Sequence, residues 1–229
     1  MTTPTTPVSR RTVLKTAGAA AITGVSGCLS GQNRPKGVTL APPDNYKNLK
    51  EADLPYPVYG EKLPEVTVPG VVSDRPVTTT DFVGERHLLL TFVYTRCEGI
   101  CLNLGQNLVQ VQARAAEAGF TDDIALGAIT FDPEHDTPER LKSWGAERGF
   151  DYDLGNCYLM RPKSERRARA VVEDTFGEAY KHEEGAKMPF LHTGLIFLVN
   201  DEGVVERAYA GDPPKPTTVI EDVEALVGV

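Results

Sequence analysis

The chain has 229 residues, enough for one domain with a sizeable core and a tail, and its composition is ordinary for a globular protein. Its net charge is −8, and so acidic a body argues against a nucleic-acid binder. The four cysteines, Cys28, Cys97, Cys101 and Cys157, are too few in so long a chain for a disulfide-stapled scaffold. Each needs its own explanation.

No acid occurs before Asp44, whereas Arg10, Arg11, Lys15, Arg34 and Lys36 lie in that stretch. Ser9-Arg10-Arg11-Thr12-Val13-Leu14-Lys15 resembles a twin-arginine export signal. The following run, Thr16 to Gly27, is too short and too weakly apolar for a membrane span, which needs about 20 residues. Val25-Ser26-Gly27-Cys28 resembles a lipobox, with Cys28 as the residue that would carry the lipid. Residues 1–27 therefore read as a signal peptide. Its removal takes Arg10, Arg11 and Lys15 and leaves a mature charge of −11. Residues 28–62, rich in Pro, Gly, Asn and Lys without a clear period, read as a lipid-anchored flexible tether, with room for part of it to pack on the domain. Residues 63–229 form the domain. The signal implies that it works on the extracytoplasmic face of the cell membrane, held there by acyl chains.

Leu63 to Pro69 reads as a short edge strand and Asp74 to Val77 as a turn and the second strand of a hairpin. Thr80-Asp81-Phe82 opens a short helical turn. Leu88 to Val93 is apolar on both faces, a central strand. From Cys101 a helical stripe runs through Leu104, Leu108, Val111, Ala115 and Ala118, and Gly119 is placed to end it. Ile124 to Phe131 is a second buried strand. The loop Asp132 to Pro138 enters a helix capped by Thr137, with Pro138 at its first position and Leu141 and Trp144 inward. Cys157 to Met160 reads as a short strand, Lys163 to Phe176 as a helix, and Glu178 to Phe190 as a polar loop. Leu195 to Val199 and Val204 to Tyr209 form a hairpin, and Thr217 or Thr218 caps a last helix. Strands alternating with helices and ending in a hairpin predict an α/β sheet with helices on both faces. A dithiol at the first strand-to-helix junction points to a thioredoxin-like fold, a central mixed sheet with helices around it and a β-hairpin before it.

That dithiol, Cys97 and Cys101, is the feature that carries chemistry. Positions i and i+4 share a helix face. The helix N-terminus favours thiolate over thiol; Arg96 would help and Glu98 would oppose. Three intervening residues make a wider bite than Cys-x-x-Cys and favour holding a metal. Among the four histidines, His87 reads as a surface residue and His182 as part of a charged loop. His135 lies in the Asp-Pro loop at the same sheet edge as the cysteines. His192 precedes the strand Leu195 to Val199, where a thioredoxin keeps the proline that faces its dithiol. Two thiolates and an imidazole suit a soft, three-coordinate ion, copper(I) first. Zinc would want a fourth ligand. Cys157 could supply it but reads better as a buried thiol. The basic cluster Arg161, Lys163, Arg166, Arg167 and Arg169 reads better as a solvated helix face than as a site for lipid phosphates or an acidic partner.

The segments Phe92-Val93-Tyr94-Thr95-Arg96-Cys97-Glu98-Gly99-Ile100-Cys101, Thr130-Phe131-Asp132-Pro133-Glu134-His135-Asp136-Thr137-Pro138 and Leu191-His192-Thr193-Gly194-Leu195-Ile196-Phe197-Leu198, in that order, resemble the Sco (SenC) copper-binding proteins. The resemblance runs from about Leu63 to the C-terminus. It implies a thioredoxin-like fold, copper as Cu(I) or Cu(II) bound by Cys97, Cys101 and His192, and a supporting place for Asp132 beside the metal site. It also implies a role in assembling the dinuclear copper centre of cytochrome c oxidase. Its partners would be the copper-accepting subunit of the oxidase and a thiol reductant. The chain departs from the pattern at Leu102, where the family has proline, and at Leu191, where it often has aspartate; Cys157 and His135 lie outside it. Two functions of different class follow: a metallochaperone, and a thiol–disulfide oxidoreductase with Cys97 as the attacking thiol and Cys101 as its pair. A peroxiredoxin-like peroxidase is a weaker third.

Overall fold

The structure, a computed structural model, describes residues 34–73, 75–97, 99–182 and 190–229. The signal peptide assigned to 1–27, Cys28 and the first residues of the tether lie outside the described residues, as does Glu98. The side chains of Ile100, Cys101, His182 and Leu191 lie outside them too.

The core is a five-stranded sheet in the order β5-β4-β3-β8-β9. β3 (His87–Val93) is central, parallel to β4 (Ile124–Thr130) and antiparallel to β8 (Leu195–Val199). β5 (Cys157–Met160) continues the parallel side, and β9 (Val205–Ala210) closes the other edge as a hairpin with β8. The apolar run predicted a strand covered on both faces, and Leu89, Leu90, Phe92 and Val93 are all fully buried.

Parallel neighbours need crossovers, and helices supply them. α2 (Ile100–Ala118) buries Leu104, Leu108, Val111 and Ala115 along the expected stripe and ends at Gly119, whose φ of 82° is the left-handed C-cap that glycine adopts without strain. α3 (Pro138–Arg148) starts as expected: the Thr137 hydroxyl accepts from Arg140 N at 3.3 Å, and Leu141 and Trp144 are buried. α5 (Pro216–Val227) packs on α2. Neither Thr217 nor Thr218 caps it; Lys215 is the N-cap and Pro216 the first helical residue, because proline's fixed φ already suits that position. The expected hairpin before β3 is β1 (Thr67–Pro69) paired with β2 (Pro76–Thr78).

Three further expectations change. α4 (Glu165–Val172) is shorter than Lys163 to Phe176: Ser164 caps it through Arg167 N, and the chain leaves in a turn where Phe176 N donates to Val171 O at 3.2 Å. Phe176 is nevertheless buried, packed on Phe92 at 5.2 Å. The stretch read as a polar loop contains a short antiparallel pair, β6 (Tyr180–His182) and β7 (Phe190–His192). Its charged composition hid it, but Phe190 is buried and Tyr180 stacks on Phe131 at 4.7 Å. Residues 34–62 belong to the same compact unit as the domain. There α1 (Tyr46–Glu51) forms, Leu40 and Tyr59 are buried, and Gly60 N donates to Val205 O at 2.9 Å. Among the described residues no helix is long and apolar enough to cross a membrane.

Candidate metal centre

Beyond β3 the chain turns through Tyr94, Thr95 and Arg96 to Cys97, whose N–H donates back to Tyr94 O at 3.3 Å. Cys97 is buried. α2 then begins behind Gly99, which offers no side-chain cap, so the helix presents its N-terminal amides and positive end to this turn. The backbone of Cys101 lies in that first helical turn.

The turn is held from the Asp-Pro loop. The buried Asp136 carboxylate accepts from Thr95 N at 3.1 Å, Thr95 Oγ1 at 2.5 Å and Thr130 Oγ1 at 2.5 Å. Burial raises its pKa, and the bonds from Thr130 and Thr95 partly restore the charged form. Asp132 is buried and takes both Nε and Nη2 of Arg96, at 3.2 and 2.6 Å. Its charge is thus spent on the residue next to Cys97. Arg161, read as one of a solvated basic cluster, instead pins the loop by donating to Pro133 O at 2.7 Å and Asp136 O at 2.8 Å. Lys163, Arg166, Arg167 and Arg169 are exposed.

His192 ends β7, and its side chain is 1% exposed. The ring lies against Tyr94, at 5.9 Å between centroids, and Phe131, at 5.2 Å. The Tyr94 hydroxyl donates to Phe190 O at 3.1 Å and so ties the cysteine turn to the histidine's strand. His192 hydrogen-bonds to Cys97 and to Glu178, with Nδ1 3.1 Å from Glu178 Oε1. Burial alone would lower its pKa; the bonds to Cys97 and Glu178 and their charges outweigh this and hold it above the ordinary histidine value.

The structure therefore brings together Cys97 and His192, two of the expected ligands, which lie 95 positions apart in the sequence. Among the described residues no group of three or more His, Cys, Asp and Glu forms a ready metal site; the Cys101 side chain is not one of the described groups. Asp132 stands beside Cys97 through Arg96, and its backbone N donates to Thr130 Oγ1 at 3.1 Å. His135 is turned to Arg140, 3.0 Å from Nδ1, and its pKa is lowered by burial and by Arg96 and Arg140. His87 is half-buried rather than a surface residue and accepts from Asp201 N at 2.9 Å. Cys157 is buried in β5, where burial pushes its thiol pKa well up, so it is a packing residue and not a ligand in waiting. Sequence reasoning missed Asp136 and Glu178. The only signal for Glu178 was a lone acid between Phe176-Gly177 and Ala179.

A buried sulfur touching a buried imidazole, at the positive end of a helix that carries a second cysteine, is a donor set for a soft or borderline ion. The SCO1/SenC family profile matches residues 72–228. The chain belongs to the SCO1/SenC family. A curated relative, the SCO1 protein homolog of Bacillus subtilis, is 25% identical over 138 residues, 60% of this chain and 69% of that protein. A SCO1/SenC family lipoprotein from Bacillus anthracis superposes with a TM-score of 0.61 at 22% identity, covering 72% of this chain and 95% of its own. Yeast Sco1, solved with copper bound, gives 0.58 at 15% identity, covering 73% of this chain and 90% of its own. At these identities the structural likeness establishes the fold, and it is thioredoxin-like. The Sco family is one of cytochrome c oxidase assembly proteins.

Proposed function

We propose that this Sco-family chain is a metallochaperone that binds copper through Cys97, Cys101 and His192 and delivers it to the copper-accepting subunit of cytochrome c oxidase. The observation that carries the reading is the buried hydrogen bond between Cys97 and His192, two donors 95 positions apart whose meeting no packing need explains. Copper is cargo here. The chain's own residues exclude water around the donors (Tyr94, Phe131 and Phe190), orient the imidazole, and hold the cysteine turn through Asp136. The export signal and lipobox add a lipid anchor through Cys28, which would keep the domain on the extracytoplasmic face; the B. anthracis relative is described as a lipoprotein.

The test is metal content and absorption of the domain after copper loading. Stoichiometric copper with a thiolate-to-Cu(II) charge-transfer band is expected, and a domain that takes only zinc would overturn the reading. The uncapped N-terminus of α2 beside the cysteines favours thiolate and supports a second reading, reduction of a client's disulfide by Cys97 and Cys101. His192→Ala separates the two: it should lower copper affinity by orders of magnitude and leave dithiol exchange largely intact. Equal loss of both would count against the ligand assignment.

A further inference from the structure

We propose that Glu178 is the positioning residue of the metal centre: its buried carboxylate holds the His192 ring by Nδ1 and commits the opposite nitrogen, Nε2, to the Cys97 side. The inference rests on the copper-site reading above and deepens it.

Glu178 is fully buried, and a carboxylate there is costly unless it is well bonded. Its Oε1 accepts from Gly194 N at 2.8 Å and Thr193 Oγ1 at 3.1 Å and faces His192 Nδ1 at 3.1 Å. Those three donors are consecutive residues, the turn that carries β7 into β8. Its Oε2 has no hydrogen-bond partner among the described residues. An acid kept only to close a turn would be replaceable by an amide or hydroxyl at less desolvation cost; one carboxylate oxygen left unused indicates that the charge itself is wanted at the ring.

The backbone keeps this acid from moving. Glu178 N donates to Val172 O at 3.0 Å at the end of α4. Gly177, before it, has φ of 70°, and a Cβ there would stand 2.2 Å from Pro55 O. The imidazole is equally fixed, with Tyr94 and Phe131 against its faces and edges. An imidazole whose Nδ1–H is donated to a carboxylate has its lone pair on Nε2, and the carboxylate makes that lone pair a stronger donor.

The experiment uses Glu178→Gln and Glu178→Leu with two readouts. In the metal-free protein, nitrogen and carbon NMR shifts of labelled histidine report the His192 tautomer. The parent protein should be Nδ1–H; Leu should lose that preference, and Gln should keep it with the Nδ1–H resonance moved upfield as its acceptor loses charge. In copper-loaded protein, chelator competition should show affinity falling about 10–100-fold in Leu and less in Gln, and the Cu(II)/Cu(I) potential should rise in Gln because the anion that favours the higher valence is gone. A role confined to the turn would move neither the tautomer nor the potential. If Leu does not fold, Gln decides: parental Nδ1–H shift and potential together overturn the proposal. If the parent protein takes no copper, the chaperone reading fails while the tautomer result still supports or overturns the role of Glu178.

Discussion

The Arg96 guanidinium closes on Asp132 Oδ2 at 2.6 Å from Nη2, immediately before Cys97. The carboxylate is 5% exposed and the guanidinium 39%. Removing the cation strands a buried anion, which is the costly way to break an ion pair. Arg96→Ala should destabilise the domain by about 1–3 kcal/mol, less than a fully buried pair because Arg96 is partly solvated. Arg96→Ala with Asp132→Ala should recover part of that loss. Urea midpoints of the two single variants and the double variant give the coupling; additive losses would show that the pair is spatial only.

The N-terminal segment is tied to the domain by another buried acid. Glu206 accepts from Thr39 N at 2.6 Å, Leu40 N at 3.0 Å and Asn200 Nδ2 at 2.7 Å. Glu206→Ala leaves those donors without their acceptor, at a cost of about 1–3 kcal/mol. Limited proteolysis should then cut between residues 34 and 62, where the parent protein resists. A domain begun at Leu63 should be less stable than one begun at Arg34, since it lacks buried Leu40, Val58 and Tyr59. Equal midpoints would show that the segment contributes nothing.

How much of this was legible follows from how local each signal is. The central strands and the Thr137–Pro138 helix start rest on patterns within a few residues, and they appear where the periodicity put them. His192 was legible because it falls just before an apolar strand whose place opposite the dithiol follows from the topology. Glu178 was not legible: its three partners are 14 to 16 positions downstream, and its own neighbourhood reads as the start of a polar loop. The docking of 34–62 onto the domain was hidden for the same reason. Prolines and lysines there look like a tether until Glu206, more than 160 positions away, accepts from the amides of Thr39 and Leu40.

Cys157 separates packing from chemistry among the thiols. Burial raises its pKa. Alkylation of the native, reduced domain should leave Cys157 unmodified until denaturant is added. Cys157→Ala should cost about 1–2 kcal/mol for the lost buried sulfur and leave copper stoichiometry unchanged. Modification of Cys157 ahead of unfolding, or loss of copper in the variant, would return it to the list of ligands.

On the proposed ligation, His192 should give the metal-free and copper-loaded states opposite responses to pH. The bonds to Cys97 and Glu178 hold His192 above its ordinary value of about 6.5. In the metal-free protein the folded state therefore binds this proton more tightly than the unfolded chain does. The stability it lends is full below the unfolded value and is lost as pH rises through the folded one. On the proposed ligation copper displaces the same proton, and those of the thiols, so its apparent affinity should fall as pH falls. For the imidazole that fall begins on the alkaline side of the ordinary histidine range. Urea midpoints of metal-free parent and His192→Ala proteins should converge as pH rises, while chelator competition should show the parent's copper affinity climbing over the same interval. Parallel trends in the two measurements would mean that the proton on His192 and the metal do not compete for one nitrogen.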